Sequence, residues 1–183
     1  MSSVSVTVSA SIMSAKAWET RFREHPVADW MLDYEEAFDF GDMKSGPCNV
    51  WLTDDFSFTK STGQCITGGA AAWAAVLELY APFSGHYHEP FFSITWETPT
   101  GYELIGSARL FAKLPVPGGQ TKTDLNGRKW DIEVPGAFHF EYVKDLSGPK
   151  GLKMKSQKLY ADGIPMISEM IKRGMVTPEQ VLA

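Results

Sequence analysis

The chain has 183 residues, 17 Lys and Arg against 22 Asp and Glu, and a net charge of −5, which excludes the basic footprint of a nucleic-acid-binding surface. Its 44% hydrophobic and 21% charged content suits one domain with a real core, and the longest apolar run, Gly68 to Val76, is far too short to span a bilayer. Residues 1–13 lack the basic start and apolar block of a secretory signal, and Cys48 and Cys65 are too few for a disulfide framework, so a cytoplasmic protein with reduced thiols is expected. Aromatic content is the unusual figure: 13%, with six Trp and eleven Phe. Such a load serves a large core or a pocket for a flat apolar ligand.

Residues 3–12 alternate Ser or Thr with Val4, Val6, Val8, Ala10 and Ile12, the period of a strand, yet so serine-rich a terminus also reads as an arm, and 1–14 are taken as one. Residues 15–183 then form a single domain. A helical region over 15–40 restarts near Pro26, since proline fits a first turn but no helix interior. Trp30, Met31, Tyr34, Ala37 and Phe38 hold helical spacing, and Gly41 is expected to cap the helix in a left-handed conformation. A short helix over 47–53, a strand over 55–60 and an Ala-rich helix over 67–80 follow.

From Pro90 onward the texture is that of strands. Phe92, Ile94 and Trp96 alternate before the Pro99-Thr-Gly101 turn, and Tyr102 to Leu114 forms a strand long enough to need a bend, with Gly106 as the candidate bulge. Residues 115–136 are expected to be a long hydrophilic loop, either a surface loop or a lid. Strands over 137–143 and 152–160 follow, then an amphipathic helix over 164–173 and a capped start at Thr177-Pro-Glu. Together these elements predict an α+β fold: a curved, mainly antiparallel sheet covered by helices.

His86-Tyr-His88 is the one local pattern that points to chemistry. Alternation along a strand puts both rings on one face, which is also metal-ligand spacing. With His139 the pair faintly echoes a cupin metal site, although Phe92 and Ser93 stand where its acidic residue belongs. Phosphate loops, dinucleotide fingerprints, the Gly-x-Ser-x-Gly elbow and Cys/His zinc spacings are missing from the sequence. That leaves acid–base chemistry without a cofactor, or plain binding.

The succession Tyr34-Glu-Glu-Ala-Phe-Asp-Phe-Gly-Asp42, Val50-Trp-Leu-Thr-Asp-Asp-Phe-Ser-Phe58, Gly63 and Gly68 resembles the nuclear transport factor two-like superfamily. Its nearest local matches are polyketide-cyclase-like proteins and steroid ketoisomerases. The resemblance implies a cone-shaped sheet around a deep apolar pocket and, with no cofactor or metal, an isomerase, cyclase or dehydratase acting on a small polyketide or terpenoid. By the same resemblance Tyr34 takes the place of a phenol that donates to an enolate, and His139 that of a protonated acid. The family's proton-shuttling aspartate falls on Lys60, which disfavours ketosteroid-type isomerisation because only a strongly desolvated lysine is a base at neutral pH. Scytalone dehydratases, also of this superfamily, run acid–base elimination with strand histidines and helix tyrosines, a style that His88, His139 and Tyr34 would suit. Trp51, Phe56, Phe58, Trp96 and Tyr160 are candidates for lining the pocket. A non-catalytic binding or dimerisation module of the same fold is the alternative. With the His139 face turned inward, a homodimer would cover the Phe138–Tyr142 face; neither membrane nor nucleic acid is an expected partner.

Overall fold

A computed structural model of the protein describes residues 8–12 and 23–182. The elements are β1 (Val8–Ile12), α1 (Pro26–Asp39), β2 (Leu52–Thr59), β3 (Cys65–Thr67), α2 (Gly69–Tyr80), β4 (Gly85–Glu97), β5 (Gly101–Lys113), β6 (Lys122–Thr123), β7 (Lys129–Trp130), β8 (Ile132–Lys144), β9 (Leu152–Ala161), α3 (Ile164–Lys172) and α4 (Pro178–Leu182). Seven strands make one sheet in the order β1-β4-β5-β8-β9-β2-β3. All neighbouring pairs are antiparallel except β2 with β9. The expected α+β class is what the chain adopts.

Helix α1 forms where the sequence signals it. Pro26 stands in the first turn with Asp29, and His25 caps the start by accepting from Val27 N–H through Nδ1, which satisfies one otherwise orphaned donor. Val27, Trp30, Met31, Tyr34 and Phe38 are its buried stripe, packed against the inner face of the sheet. Trp30 anchors it by donating from Nε1 to the carbonyl of Leu152 on β9. The other end departs from expectation. Gly41 N–H bonds back to Ala37 O, but Gly41 lacks the left-handed φ of a Gly cap. Glycine is needed there because a Cβ would lie 2.8 Å from that carbonyl.

The inner face of β5 and β8 carries Leu104, Ala108 and Leu110 beside Phe140, Gly136 and Val134, and Phe138, Phe140 and Tyr142 are buried beneath α1. Pairing of β5 runs through Gly106 without a break; the bulge lies in β4, between Pro90 and Phe92. Gly106 serves another purpose, since a Cβ there would meet the Phe138 ring and the Phe92 carbonyl at 2.6 Å.

Several other boundaries shift. Residues 8–12, read as part of an arm, pair with β4 at the edge of the chain's own sheet; residues 13–22, the start of the expected first helical region, lie outside the described residues. The short helix near 47–53 is a single 3-10 turn over Cys48–Val50. Within 115–136 stand the β6–β7 hairpin and the start of β8. Trp130 and Arg128 bring that hairpin onto the outer face, against Phe111 and Tyr87, so it does not lie over the apolar cavity. Helix α3 instead packs there through Met166 and Met170 on Leu114, Ile132 and Val134. Thr177 and Gln180 form the reciprocal cap that opens α4. None of the described helices is long and apolar enough to cross a membrane.

Candidate active site

One carboxylate organises the site. Asp39 is the last residue of α1, where the helix dipole disfavours negative charge and the last turn carries no basic residue of its own. Strand β4 supplies the compensation. His86 Nδ1–H and His88 Nδ1–H both donate to Asp39 Oδ1, at 2.9 and 2.8 Å, and the backbone N–H of His88 donates to Oδ2 at 2.7 Å. Both rings lie on the inner face, as the His-x-His alternation predicts. Burial by itself would raise the Asp39 carboxyl, but the interaction with His88 and the hydrogen bonds from both rings win and hold it below the ordinary carboxylate range.

The two histidines have different surroundings. His86 is sealed, with 2% of its side chain exposed, and Lys44 Nζ stands 2.5 Å from its Nε2. With Nδ1 protonated toward Asp39, that Nε2 accepts from the ammonium. Burial lowers the basicity of both His86 and Lys44. His88 borders a cavity, and its Nε2 lies 2.9 Å from the hydroxyl of Tyr80 at the end of α2. Burial, reinforced by the Asp39 charge, raises Tyr80 well above the ordinary phenol value. With Nδ1–H turned to Asp39, the neutral tautomer of His88 accepts from the Tyr80 hydroxyl at Nε2, which places that lone pair toward the cavity with a carboxylate behind the ring.

That cavity has two connected parts. The outer one encloses about 140 Å³ and is walled by apolar residues, among them Leu79, Phe83, Leu110, Val134, Phe138 and Met166, with Lys60 and Ser61 at its rim. The inner one, about 60 Å³, reaches Tyr34, Glu35 and Gln157. Tyr80, His88, Ala108, Phe138 and Leu159 line both. A separate polar crevice of about 490 Å³ opens beside β4 and is bordered by Arg23, Glu35, Asp39, His88, Glu89 and Asn126. Glu35 makes no hydrogen bond or ion pair among the described residues, and burial and then the Asp39 charge raise its carboxyl well above the ordinary value.

The residues picked out from the sequence fare unequally. His88 and Tyr34 line the cavity, and Tyr34 is stacked between Trp30 and Phe38; burial, then the charges of Asp39 and Glu35, raise its phenol. Phe58 also lines it. His139 does not. It stands on the outer face of β8, where its Nε2 meets Glu103 at 2.7 Å and its ring stacks on Trp96. The inward set of β8 is Phe138, Phe140 and Tyr142, so every odd-numbered neighbour points away. Trp96 and Tyr160, the latter 57% exposed, share the outer side with it. Phe56 is fully buried and Trp51 packs edge-on against Trp30 and Tyr34; both serve the core rather than the cavity wall. The cupin-like trio of His86, His88 and His139 is likewise split across the sheet. Lys60 sits at the cavity rim, paired with Glu78 at 3.7 Å.

Asp39, Tyr80, Lys44 and Glu35 were missed. Glu35 and Asp39 stand one helical turn apart, a spacing that puts two carboxyls on one face of α1; that was the available signal. Asp39, His86 and His88 gather three ligand atoms within 4.8 Å. As a metal site the set fits poorly, because all four ring nitrogens already have partners and the Lys44 ammonium opposes a second cation.

The helix-backed, mostly antiparallel sheet is a fold shared with solved structures. The hexachlorocyclohexane dehydrochlorinase LinA-type3 from Novosphingobium barchaimii LL02 superposes with a TM-score of 0.53 at 13% identity, covering 80% of this chain and 90% of that one. A protein of Jannaschia sp. CCS1, provisionally described as a SnoaL-like polyketide cyclase, gives 0.52 at 15% identity, over 79% and 90%. A ketosteroid isomerase-like protein from Catenulispora acidiphila, in complex with trimethylamine, gives 0.51 at 10%, over 77% and 91%. The protein therefore belongs, by architecture, with α+β folds in which helices pack on a mostly antiparallel sheet. Specifically, the chain has the fold of the nuclear transport factor two-like superfamily. No protein-family model and no curated protein matches the sequence.

Proposed function

We propose that this protein is a cofactor-independent acid–base enzyme that removes a proton from carbon in a small apolar cyclic molecule, of the polyketide or terpenoid kind, in an elimination, isomerisation or cyclisation. The observation that carries the reading is the Asp39–His88 pair at the edge of an apolar cavity, with Nδ1 turned to the carboxylate. Substrate entering that cavity displaces the Tyr80 hydroxyl from Nε2 and frees it to donate to a substrate oxygen. His88 then takes the proton, while Asp39 fixes the ring tautomer and stabilises the imidazolium. An elimination is the form best supported: it needs a base and an apolar enclosure, and the LinA-type3 protein named as a dehydrochlorinase shares the fold. An open cavity edged by titratable groups favours an enzyme over a binding module, whose pocket would be filled by its aromatic residues.

The reading extends to a cytoplasmic homodimer; the Phe138–Tyr142 face expected to need a partner is covered by α1 of the same chain, so the dimer would form instead through the outer face, where Trp96 is half-buried and Ile105 is 43% exposed. A monomer in sedimentation at tens of micromolar would remove the dimer without touching the chemistry. The chemistry is tested by thermal-shift screening against cyclic ketones and lactones, then product analysis with wild type and His88→Gln. Turnover unaffected by that substitution would refute the assignment.

A further inference from the structure

The basic end of the site is accounted for by His88, but the inner chamber is also lined by Glu35, which borders the polar crevice as well, and by the unpaired amide oxygen of Gln157. Glu35 lines that chamber together with His88. Asp39 receives three N–H donors, and Glu89 is met by Arg109 and by Leu125 N–H. Glu35 has no partner among the described residues. Gln157 Oε1, buried and bordering the same chamber, has none either. A buried amide oxygen without a donor, as at Gln157, is costly, and a ligand hydroxyl would satisfy it.

We propose that Glu35 is the general acid of this site and that it protonates a leaving hydroxyl held against Gln157, so that the enzyme takes a β-hydroxy substrate and releases water. This deepens the reading of His88 as the base and rests on it. A hydroxyl suits the chamber where a halide does not: its oxygen accepts from the Glu35 carboxyl, and its hydrogen is donated to Gln157 Oε1. The neutral state of Glu35 is supported by its surroundings. Asp39 stands one turn along the same helix face; Tyr34, Tyr80 and His88 complete the chamber; and Arg23 borders only the crevice.

The step balances. The carbon–hydrogen pair becomes the new π bond as His88 Nε2 takes the proton. The carbon–oxygen pair leaves with the oxygen, which takes the Glu35 proton and departs as water. An imidazolium and a carboxylate remain. Both residues border the polar crevice, wide enough for water, through which the proton returns from His88 to Glu35.

Two probes with one product separate this role from the elimination reading itself. 3-Hydroxy-1-tetralone and 3-chloro-1-tetralone both yield 1-naphthol, followed by fluorescence above the buffer rate. Chloride leaves without a proton, so Glu35→Gln should slow the hydroxy probe at least ~100-fold, the scale of a lost general acid, and the chloro probe about tenfold less than that. Gln157→Leu should raise KM for the hydroxy probe selectively. Infrared spectra of the wild type near neutral pH should show a protonated carboxyl band that Glu35→Gln removes. Equal losses on both probes, or a band the substitution leaves in place, would overturn the acid role alone. If the wild type converts neither probe, the elimination reading falls and the acid role with it.

Discussion

Replacing Asp39 by Asn tests the centre of the site, because the consequence follows from counting donors. Asp39 accepts three hydrogen bonds, two at Oδ1 from imidazoles and one at Oδ2 from the His88 backbone. An amide cannot do this in either orientation. With its oxygen toward the imidazoles, its NH₂ faces the His88 N–H and one buried donor is stranded. With its oxygen toward that N–H, the NH₂ forces both rings to lose the proton on Nδ1 and carry it on Nε2. His86 Nε2–H then opposes the Lys44 ammonium, and His88 has no lone pair facing the cavity. One unsatisfied buried group plus the loss of charge-assisted bonds costs about 2–4 kcal/mol of stability. The gap between variant and wild type should narrow below about pH 4, since a carboxylate with a depressed pKa stabilises the fold above its unfolded value and loses that contribution as pH falls toward its folded one. Turnover should fall about 10³- to 10⁴-fold, the scale of a histidine base held in the wrong tautomer. The assay pairs turnover of a cyclic ketone identified by thermal shift with long-range ¹H–¹⁵N spectra of the His88 ring. A variant whose His88 carries its proton on Nε2 yet keeps activity within tenfold, or one as stable as the wild type, would refute the reasoning.

Three further outcomes are expected. Because the folded Glu35 carboxyl is raised above its unfolded value, the folded protein holds the extra proton and wild-type stability should decline as pH rises above about 4.5, by about 1.4 kcal/mol per unit until the folded value is reached; urea titrations of Glu35→Gln should lack this slope. His139→Ala, on the outer face, should leave turnover within about threefold, and its half-exposed pair with Glu103 should be worth no more than about 1 kcal/mol; a large loss of activity per folded molecule would return His139 to the site. Gly106→Ala must displace the Phe138 ring or the β4 backbone, so a destabilisation of about 1–3 kcal/mol is expected in thermal melts, and an unchanged Tm would mean that the strands open at no cost.

Much of the layout was legible from periodicity. The apolar stripe of α1, the strand beginning at Leu152 and the cap at Thr177 follow from spacing and local chemistry, which act within a turn or two. His86 and His88 share a face for the same reason. Legibility failed where the alternation offered two faces that both looked usable. In β8, Phe138, Phe140 and Tyr142 alternate with His139, Glu141 and Val143. A family position aligned onto His139 suggested that face as the inner one, against the simpler rule that the aromatic set goes inward. The rule held, and Trp96 and Tyr160 moved outside together with His139. Gly106 was misread because a strand glycine marks a bulge or a close approach equally well, and only the Phe138 ring distinguishes the two.

The sequence by itself determined the α+β class, the helix and strand faces and the presence of a histidine pair, since these depend on contacts between near neighbours. Only the tertiary structure decided that Asp39 meets His88, 49 residues later, at a helix end whose dipole would otherwise reject the charge. The physical reason is that a carboxylate's partner is chosen by how α1 lies across β4, a packing outcome of the whole core that no local pattern encodes.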